Sequence, residues 1–327
     1  MSERAVTRWG LLSTARINDK LIAGARASDA VEMVAVASRD FARAQDYARR
    51  NGFERAYGSY EELLADPDLD AVYISLPNSL HVEWATRALQ AGKHVLCEKP
   101  LSRRAAEVEA LFDTAVETGR ICMEAFMWRH NPQAKRLATL VAEGAVGEPR
   151  LIRAAFSFSL ADTGDVRMLA QLDGGALMDV GCYCVSAVRL LAGEPVSVTA
   201  QQISGPTGID TRFLGTMAFD AGVLAEIDAA FDLPVRSELE AIGSEGSIVV
   251  SDPWHCRTPG LELRRGDAVE AIAIEPVNSY RLQLENVGAA IRGEAEPLLG
   301  RADAVGQARA IEALYRAGES GRTERLR

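Results

Sequence analysis

The sequence predicts an α/β protein in which a Rossmann dinucleotide-binding domain precedes an α+β domain with a large, open-faced, mainly antiparallel sheet. Three observations predict this architecture. The chain has 327 residues, more than one domain usually holds. Strand-like and helix-like segments alternate as far as Met123, which is typical of parallel βαβ units. After about Ala125 several strand-like segments follow one another, which indicates antiparallel pairing.

The first domain, residues 1–124, is predicted from short apolar runs, each followed by a segment of helical character. Connections this short between strand and helix favour parallel pairing in a doubly wound sheet. The predicted strands span residues 9–12, 31–37, 56–57, 71–76 and 94–98. The predicted helices span residues 18–27, 41–51, 60–65 and 105–118, with one more that begins after Ser79 and ends at Gly92.

The second domain, residues 125–327, is predicted to bind substrate and to mediate oligomerisation. Tight turns at 220–222 and 243–246 join successive strands and indicate an antiparallel sheet. The predicted strands span residues 150–159, 196–204, 211–219, 222–231, 237–243 and 246–251. The predicted helices span residues 132–143, 174–191, 279–293 and 301–317, and the last one is a candidate to pack back on the first domain.

Charge and cysteine content exclude several classes of protein. The chain has 46 acidic and 36 basic side chains and a net charge of −10, which disfavours a nucleic-acid partner because phosphate binding requires a basic surface. The five cysteines are an odd number, and only Cys182 and Cys184 lie close together. This spacing predicts neither a disulfide framework nor a zinc site, and no other cluster of ligands suggests a metal.

The chain also lacks the usual signals for export or membrane insertion. No stretch approaches the roughly 18 uninterrupted apolar residues that cross a bilayer. The N-terminal sequence MSERAVTRWGLL does not have the basic, apolar and small-residue pattern of a secretory signal. We therefore expect a cytoplasmic protein that has no membrane partner.

The turn after the first strand is the expected binding site for a dinucleotide pyrophosphate, because helix N-termini and free backbone N–H groups attract anions. This turn does not contain the G-x-G-x-x-G pattern, and small residues stand near the positions of the second and third glycines. An ordinary strand-to-helix turn is the alternative. The candidate cofactor-binding residues here are Gly10, Ser13, Thr14, Ala15, Arg16 and Ile17.

The end of the second strand favours NADP(H) over NAD(H). NAD-binding domains usually place a carboxylate at this point, where it binds the ribose 2′-hydroxyl. Here the strand is followed by Ser38 and Arg39, whose hydroxyl and guanidinium suit a 2′-phosphate. Two alternatives stay open: Arg39 is a solvated surface residue, or Asp40 reaches the ribose.

Two more turns follow predicted strands of the first domain and face the same crevice. Leu76, Pro77, Asn78 and His81 follow one strand, and Glu98, Lys99 and Pro100 follow the next. In the second domain Asp179 and Tyr183 are four residues apart, so they share one face of a helix.

With these motifs the sequence resembles the Gfo/Idh/MocA family of oxidoreductases over nearly its whole length. The motifs AGKHVLCEKPL at 91–101, EAFMWR at 124–129 and GGALMDVGCYCV at 174–185 support the resemblance. Tyr183 stands where many inositol-type members have histidine. The sequence is therefore most similar to the branch that contains dihydrodiol dehydrogenases, NADP-dependent D-xylose dehydrogenases and glucose–fructose oxidoreductases.

The resemblance implies a Rossmann domain and an open sheet that often forms the subunit interface. It also implies that Glu98 and Lys99 flank the nicotinamide ribose and that Lys99 and Tyr183 are the catalytic pair. The turn at residues 10–15 departs from the family's glycine pattern.

The predicted chemistry is hydride transfer between nicotinamide and a carbohydrate-like alcohol or carbonyl. Tyr183 is the candidate general acid/base and Lys99 its electrostatic partner, because a nearby ammonium favours the phenolate. Asp179 is expected to orient Lys99 or to bind a substrate hydroxyl. Trp128 and Arg129 are candidate cofactor contacts and Arg167 a candidate substrate contact, but a structural role is the alternative for each. His81 is expected to pack near the ribose rather than to transfer protons.

The leading hypothesis is an NADP(H)-dependent dehydrogenase or reductase that acts on an aldose such as D-xylose or on a cyclic trans-diol. A reductase of nucleotide-linked ketosugars is the alternative within the same chemistry. A nonenzymatic regulator that senses NADP(H) or a sugar is the alternative of another class. A homodimer or homotetramer that assembles through the open sheet is expected.

Overall fold

The computed structural model describes residues 6–220 and 222–326. The first five residues of the predicted N-terminal segment and Ala221, the middle residue of the predicted turn at 220–222, lie outside the described residues. The chain divides into two compact units. The first contains the chain up to Ser102 together with Ala106–Met127 and Asn278–Val305, and the second contains Arg103–Ala105, Trp128–Val277 and the chain from Gly306 onward.

The first unit contains a six-stranded parallel sheet with the order β3-β2-β1-β4-β5-β6. Its elements are β1 (Thr7–Leu12), α1 (Asn18–Arg26), β2 (Val31–Ala37), α2 (Phe41–Asn51), β3 (Arg55–Tyr57), α3 (Tyr60–Leu64), β4 (Ala71–Ile74), α4 (His81–Gln90), β5 (His94–Cys97), α5 (Ala105–Thr118) and β6 (Cys122–Glu124). The chain direction across the sheet reverses between β1 and β4, which is where doubly wound sheets open a crevice for ligands. The predicted parallel sheet is confirmed.

The second unit contains a nine-stranded, mainly antiparallel sheet with the order β14-β13-β12-β11-β7-β10-β9-β8-β15. The remaining elements of the chain are α6 (Pro132–Ala142), β7 (Pro149–Ser159), α7 (Cys182–Ala192), β8 (Ser197–Ser204), β9 (Asp210–Ala218), β10 (Leu224–Ala230), β11 (Asp232–Gly243), β12 (Ser247–Val250), β13 (Gly260–Arg265), β14 (Ala268–Ala273), α8 (Ser279–Ile291), α9 (Arg301–Ser320) and β15 (Glu324–Arg325). Strands β7 and β10 pair in parallel, whereas the other described pairs are antiparallel. The predicted second sheet is therefore confirmed.

Helix α8 belongs to the first unit, where it packs against α1. Gly24 of α1 makes this packing possible, since a Cβ there would lie 2.7 Å from the backbone nitrogen of Arg281. The carbonyl carbon and Cβ of Tyr280 would each lie 2.9 Å from that Cβ, so only glycine fits at this contact between the two helices.

The sequence analysis missed strands β6, β13, β14 and β15; β6 has only three residues. Strands β13 and β14 form one edge of the sheet, and most residues of β14 are exposed. An exposed edge strand does not require alternating apolar and polar residues, and this alternation is the pattern by which a half-buried strand is predicted. β15 has only two residues and depends on pairing with β8.

The predicted helix at 174–191 is not one regular helix. A 3₁₀ turn at Ala170–Leu172 is followed by a π-helical segment at Leu177–Gly181, and only then does α7 begin at Cys182. Gly175 has a φ of +130°, which is outside the helical region and explains why the helix does not start at residue 174.

The open face of the second sheet carries both charged and apolar side chains. Arg236 pairs with Asp228 at 2.6 Å, and Arg153 lies 3.8 Å from Glu226. Leu214 and Leu224 are exposed nearby, on neighbouring strands. The face is therefore mixed rather than uniformly apolar, and association through it stays a prediction.

One segment, Ala170–Ala192, is long and apolar enough by length and composition to cross a membrane. Of its most apolar window, 72% is buried inside the structure, as in the core helix of a globular domain. All five cysteines are likewise buried.

Candidate active site

Four connections at the carboxyl edge of the first sheet contain most of the predicted site residues. They follow the ends of β1, β2, β4 and β5, which pair in parallel and so end at the same edge. The connections span residues 13–17, 38–40, 75–80 and 98–104.

Gly10 is not part of the first connection. It lies inside β1, where a Cβ would come within 2.9 Å of the side chains of Leu63 and Leu69. Its role as a cofactor-binding residue stays a prediction, while its lack of a Cβ allows Leu63 and Leu69 to pack closely against β1. The turn begins at Ser13, which has a φ of +114°, a conformation that glycine adopts more easily. Ser13 therefore occupies a backbone position for which the G-x-G-x-x-G pattern would supply a glycine.

Two residues that the sequence analysis missed hold the Ser13 turn. Asn18 is fully buried, and its amide donates to the Ser13 carbonyl at 2.9 Å. The Ser75 hydroxyl, after β4, donates to Asn18 Oδ1 at 2.7 Å. The Ser13 hydroxyl donates to the Ser75 carbonyl at 3.0 Å and accepts from the Ala15 N–H at 3.1 Å. These bonds offset the strain at Ser13. The remaining residues of the turn, Thr14, Ala15, Arg16 and Ile17, are half-buried or exposed.

The connection after β2 carries positive charge. Arg39 is exposed, and its guanidinium and that of Arg43 act electrostatically on the Tyr60 hydroxyl. Burial raises the pKa of Tyr60, and the two guanidinium groups oppose that shift. Asp40 is the N-cap of α2 and accepts from the Arg43 N–H at 3.2 Å, so its carboxylate already has a structural role. Arg43 was missed because it lies on the helix, beyond the strand end.

His81 ties the connection after β4 to the one after β5. It is 1% exposed, and its ring nitrogens lie 2.8 Å from the Leu76 carbonyl oxygen and 2.9 Å from that of Pro100. Burial lowers its pKa, with a further contribution from Lys99. Both ring nitrogens face main-chain oxygens, so His81 holds the two connections together, and its packing near the cofactor ribose stays a prediction. Pro77 and Asn78 are half-buried in the same turn.

The connection after β5 is held at both ends. The Glu98 N–H donates to the Ile74 carbonyl at 2.9 Å, and the Tyr73 hydroxyl donates to the Glu98 carboxylate. The Leu101 N–H donates at 2.9 Å to the buried carboxylate of Glu124. Half-buried Lys99 lies between these anchors, so its backbone is fixed.

In the second unit, Trp128 is a core residue. It is 1% exposed and packs edge-on against Trp254, with ring centroids 5.7 Å apart. This packing favours the structural alternative for Trp128, and its role as a cofactor contact stays a prediction. Arg129 lies over the Trp128 ring and donates to the Ser186 hydroxyl at 3.2 Å.

Asp179 and Arg167 form an ion pair. Arg167 Nε donates to Asp179 Oδ2 at 2.9 Å, and Arg167 Nη1 lies 3.2 Å from Asp165. Both carboxylates raise the pKa of Arg167. Asp179 lies in the π-helical segment, four residues before Tyr183. The side chain of Arg167 is 42% exposed and that of Asp179 17%, so the pair borders solvent.

Tyr183 is half-buried against an aromatic wall. Its ring lies 5.6 Å from that of Phe156 and 6.0 Å from that of Trp254, measured between centroids. The indole N–H of Trp254 donates to the Ala155 carbonyl at 3.0 Å, which fixes the wall to β7. Trp254 was missed because it lies in a connection that has no recognisable pattern. Within residues 6–220 and 222–326, no three His, Cys, Asp or Glu side chains form a cluster that could hold a metal ion.

A parallel sheet with ligand-binding connections at its carboxyl edge, joined in sequence to an open antiparallel sheet, defines a class of two-domain nucleotide-binding proteins. The chain matches the model of an oxidoreductase family with an NAD-binding Rossmann fold over residues 8–126, and that of the GFO/IDH/MocA C-terminal domain over residues 134–249. It therefore belongs to the Gfo/Idh/MocA family, as predicted, and is an oxidoreductase.

Similar proteins include enzymes that act on sugars. The chain is 39% identical over 318 residues to D-xylose 1-dehydrogenase (NADP(+)) 2 of Haloferax volcanii, covering 96% of this chain and 98% of the relative. An aldose-aldose oxidoreductase from Caulobacter crescentus, complexed with glycerol, has a TM-score of 0.91 at 27% identity and covers 98% of this chain and 100% of its own. A 3-ketoreductase from Actinomadura kijaniata, in complex with NADP and TDP-benzene, has a TM-score of 0.90 at 30% identity, with coverages of 95% and 98%.

Replacing Asn18 should destabilise the protein and loosen the Ser13 turn. We expect Asn18→Ala to lower the free energy of unfolding by about 1–3 kcal/mol, because it leaves buried polar groups of Ser13 and Ser75 without this partner. Urea unfolding measures the change. Asn51→Ala is the control. The Asn51 amide donates to the Tyr47 carbonyl within its own helix, and Arg26 donates to the Asn51 main-chain carbonyl, which the substitution retains. This variant should change the free energy of unfolding by about 0.5 kcal/mol or less. Equal losses in the two variants would contradict the role given to Asn18.

Proposed function

We propose that this protein is an NADP(H)-dependent dehydrogenase or reductase that acts on a free sugar, such as the aldose D-xylose, or on a related cyclic trans-diol. The observation that carries the proposal is the 39% identity, across almost the full length of both chains, to an NADP-dependent D-xylose dehydrogenase. The solved complexes with glycerol and with NADP support the same class of substrate and the same cofactor.

The connections of the first unit fit NADP(H). In the connection before α1, the backbone N–H groups of Thr14, Arg16 and Ile17 are the proposed donors to the pyrophosphate, next to the N-terminus of the helix. Ser38, Arg39 and Arg43 lie around the end of β2, where the adenosine ribose of a dinucleotide binds. Their positive charge suits a 2′-phosphate. Asp40, the one carboxylate at this point of the chain, is used as a helix cap, so NAD(H) is the weaker fit.

The proposed proton transfer uses Tyr183. When bound, the cofactor accepts or supplies the hydride. During oxidation of the alcohol, Tyr183 Oη takes the hydroxyl proton, and during reduction it returns a proton to the carbonyl oxygen. A free tyrosine titrates at about pH 10, so it needs a positive charge nearby to work as a base near neutral pH.

Lys99 is the proposed source of that charge. Its backbone is fixed between the Glu98 and Leu101 anchors, and its ammonium can also donate a hydrogen bond to the substrate oxygen. Solved variants of the similar 3-ketoreductase replace one lysine and one tyrosine. These two positions have the same separation in that chain as Lys99 and Tyr183 have in this one, which supports assigning the pair.

Asp179 and Arg167 are the proposed substrate-binding groups. Arg167 Nε donates to Asp179 Oδ2 at 2.9 Å, and the pair borders solvent, where charged groups of this kind can form hydrogen bonds with sugar hydroxyls. The rings of Phe156 and Trp254 support Tyr183 from within the core, since both side chains are buried. The proposed substrate contacts are therefore the ion pair and the Tyr183 phenol.

A reductase of nucleotide-linked ketosugars is the second candidate, favoured by the neighbour whose structure contains TDP-benzene. Purified protein is assayed with aldoses, cyclic diols and nucleotide-linked ketosugars, with NADP(H) and NAD(H) in parallel. Turnover of free sugars or diols with NADP(H) is expected. Turnover restricted to nucleotide-linked sugars would establish the alternative, and dinucleotide binding without turnover of any polyol would favour a regulator.

We further propose a homodimer or homotetramer that assembles through the open sheet. Paired charges and exposed leucines on that face are compatible with a second copy. Light scattering at micromolar concentration tests the proposal, and a monomer would overturn it.

Removing the guanidinium after β2 should weaken NADPH binding selectively. We expect Arg39→Ala to raise KM for NADPH roughly 10- to 100-fold and to leave KM for NADH nearly unchanged, because one charge-assisted hydrogen bond contributes about 1.5–3 kcal/mol. Steady-state kinetics with both cofactors measure the ratio. Arg49→Ala, which removes an exposed guanidinium farther along α2, is the control. An unchanged NADPH to NADH preference would remove Arg39 from the 2′-phosphate site.

Replacing the phenol should stop turnover without affecting cofactor binding. Tyr183→Phe retains the ring against Phe156 and Trp254 but removes the group that transfers the proton, so kcat should fall about 100- to 10,000-fold. The dissociation constant for NADPH, measured by fluorescence, should stay within error of the unmodified protein. Tyr280→Phe is the control. Unchanged kcat in Tyr183→Phe would exclude Tyr183 as the acid/base.

A further inference from the structure

The π-helical segment that carries Asp179 depends on a contact from outside its own helix. Its first residue, Leu177, follows Ala176, which provides no side-chain cap. π-helical turns are rare and occur mostly as single turns at functional sites. The Leu177 N–H donates at 2.7 Å to Asp210 Oδ2, at the start of β9. An acidic side chain from another element thus satisfies one of the free donors at this helix start.

Asp210 is buried and fully engaged in hydrogen bonds. It is 5% exposed, and its second carboxylate oxygen accepts from the Tyr315 hydroxyl of α9 at 2.9 Å. Arg103 stacks over the Tyr315 ring, 4.0 Å from its centroid, and lies 3.9 Å from Glu319. Tyr315, Arg103 and Glu319 are therefore the titratable and charged side chains around this carboxylate.

The two glycines before the segment permit this approach. A Cβ on Gly175 would lie 2.1 Å from Asp210 Oδ1, and one on Gly174 would lie 2.3 Å from the Arg167 carbonyl oxygen. The Gly175 N–H also donates to that carbonyl at 2.9 Å. The hydrogen bond from Gly175 thus connects the backbone of Arg167, the ion-pair partner of Asp179, to the turn at Gly175–Leu177. Asp210 contacts the same turn through the Leu177 N–H.

We propose that Asp210 is a positioning residue, which fixes the turn at Gly175–Leu177 and thereby places Asp179 and Tyr183 for the reaction. This inference rests on the proposed function for the roles of Asp179 and Tyr183. Asp210 touches neither of the two reactive groups in any described hydrogen bond; it acts through the backbone of the segment that carries Asp179.

Ionisation of Asp210 does not stabilise the fold at neutral pH. Burial raises its pKa from 3.8 to about 6, against the opposing effect of the Leu177 N–H, the Tyr315 hydroxyl and Arg103. Between about pH 4 and pH 6, the Asp210 carboxyl is therefore protonated to a greater extent in the folded protein than in the unfolded chain. Folding stability due to this group falls as the pH rises from about 4 to about 6, so the ionised side chain costs stability at neutral pH.

Asparagine is the conservative replacement. Its Oδ1 can accept from the Leu177 N–H while its amide donates to the Tyr315 hydroxyl, so Asp210→Asn should hold the turn with no ionisable group. Alanine removes both bonds. The pair of variants separates the hydrogen bonds of Asp210 from its charge.

The experiment compares Asp210→Ala and Asp210→Asn with the unmodified protein in kinetics and in amide hydrogen exchange. In Asp210→Ala we expect kcat to fall about 10- to 100-fold with KM for NADPH unchanged, because small misplacements of reacting groups have effects of this size. The Leu177 amide should lose its protection from exchange. Asp210→Asn should restore kcat to within about threefold and restore that protection, and its stability advantage over the unmodified protein should grow between about pH 4 and pH 7.

Ile248→Ala is the control for general destabilisation, since Ile248 is a fully buried residue of β12. If it lowers kcat as much as Asp210→Ala does, the effect is not specific and the proposal is overturned. If Asp210→Ala does not fold, Gly175→Ala tests the same contact, and wild-type kcat in that variant would overturn the proposal.

The two proposals fail in different ways. Wild-type kcat in Asp210→Ala would overturn the positioning role whatever the substrate is. Wild-type kcat in Tyr183→Phe would overturn the assigned catalytic group, whereas exchange at the Leu177 amide would still report whether Asp210 holds the turn.

Discussion

Parallel pairing of β1 with β4 is the constraint on which the nucleotide-binding unit depends. It reverses the direction of the chain across the sheet and brings the connections after β1, β2, β4 and β5 to one edge. Backbone donors, positive charge and the lysine of the 98–104 connection are separated along the sequence, yet they meet because parallel strands end together. A single antiparallel strand in the middle of the sheet would send one of these connections to the opposite edge.

Buried polar contacts then fix each connection in place. Asn18 joins the β1 turn to Ser75, His81 joins the β4 turn to Pro100, and Glu124 holds the segment after Lys99. In the second unit Asp210 does the same for the π-helical segment. Each of these side chains gives up hydration, and its hydrogen bonds to the main chain offset that cost. Functional side chains can therefore stay half-exposed while their backbones are rigid.

Several site residues were recognisable before the structure was known, and others were not. Lys99, Asp179 and Tyr183 stand in motifs with a fixed relation to strand ends or to a helix, so local pattern is enough to select them. The close approach of Leu63 and Leu69 to Gly10 could not be predicted, because these leucines come from a different part of the chain. The packing of Trp128 against Trp254 depends in the same way on a residue far away in sequence.

Local order along the chain was sufficient to predict the alternation of strands and helices, both sheets and the family. These depend on periodicity and on short motifs, which a single sequence records. The positive φ at Ser13, the π-helical start at Leu177 and the contact from Asp210 emerged only in three dimensions. Each depends on a contact between segments that are far apart in the sequence. Local secondary-structure propensity does not predict which distant segments come into contact.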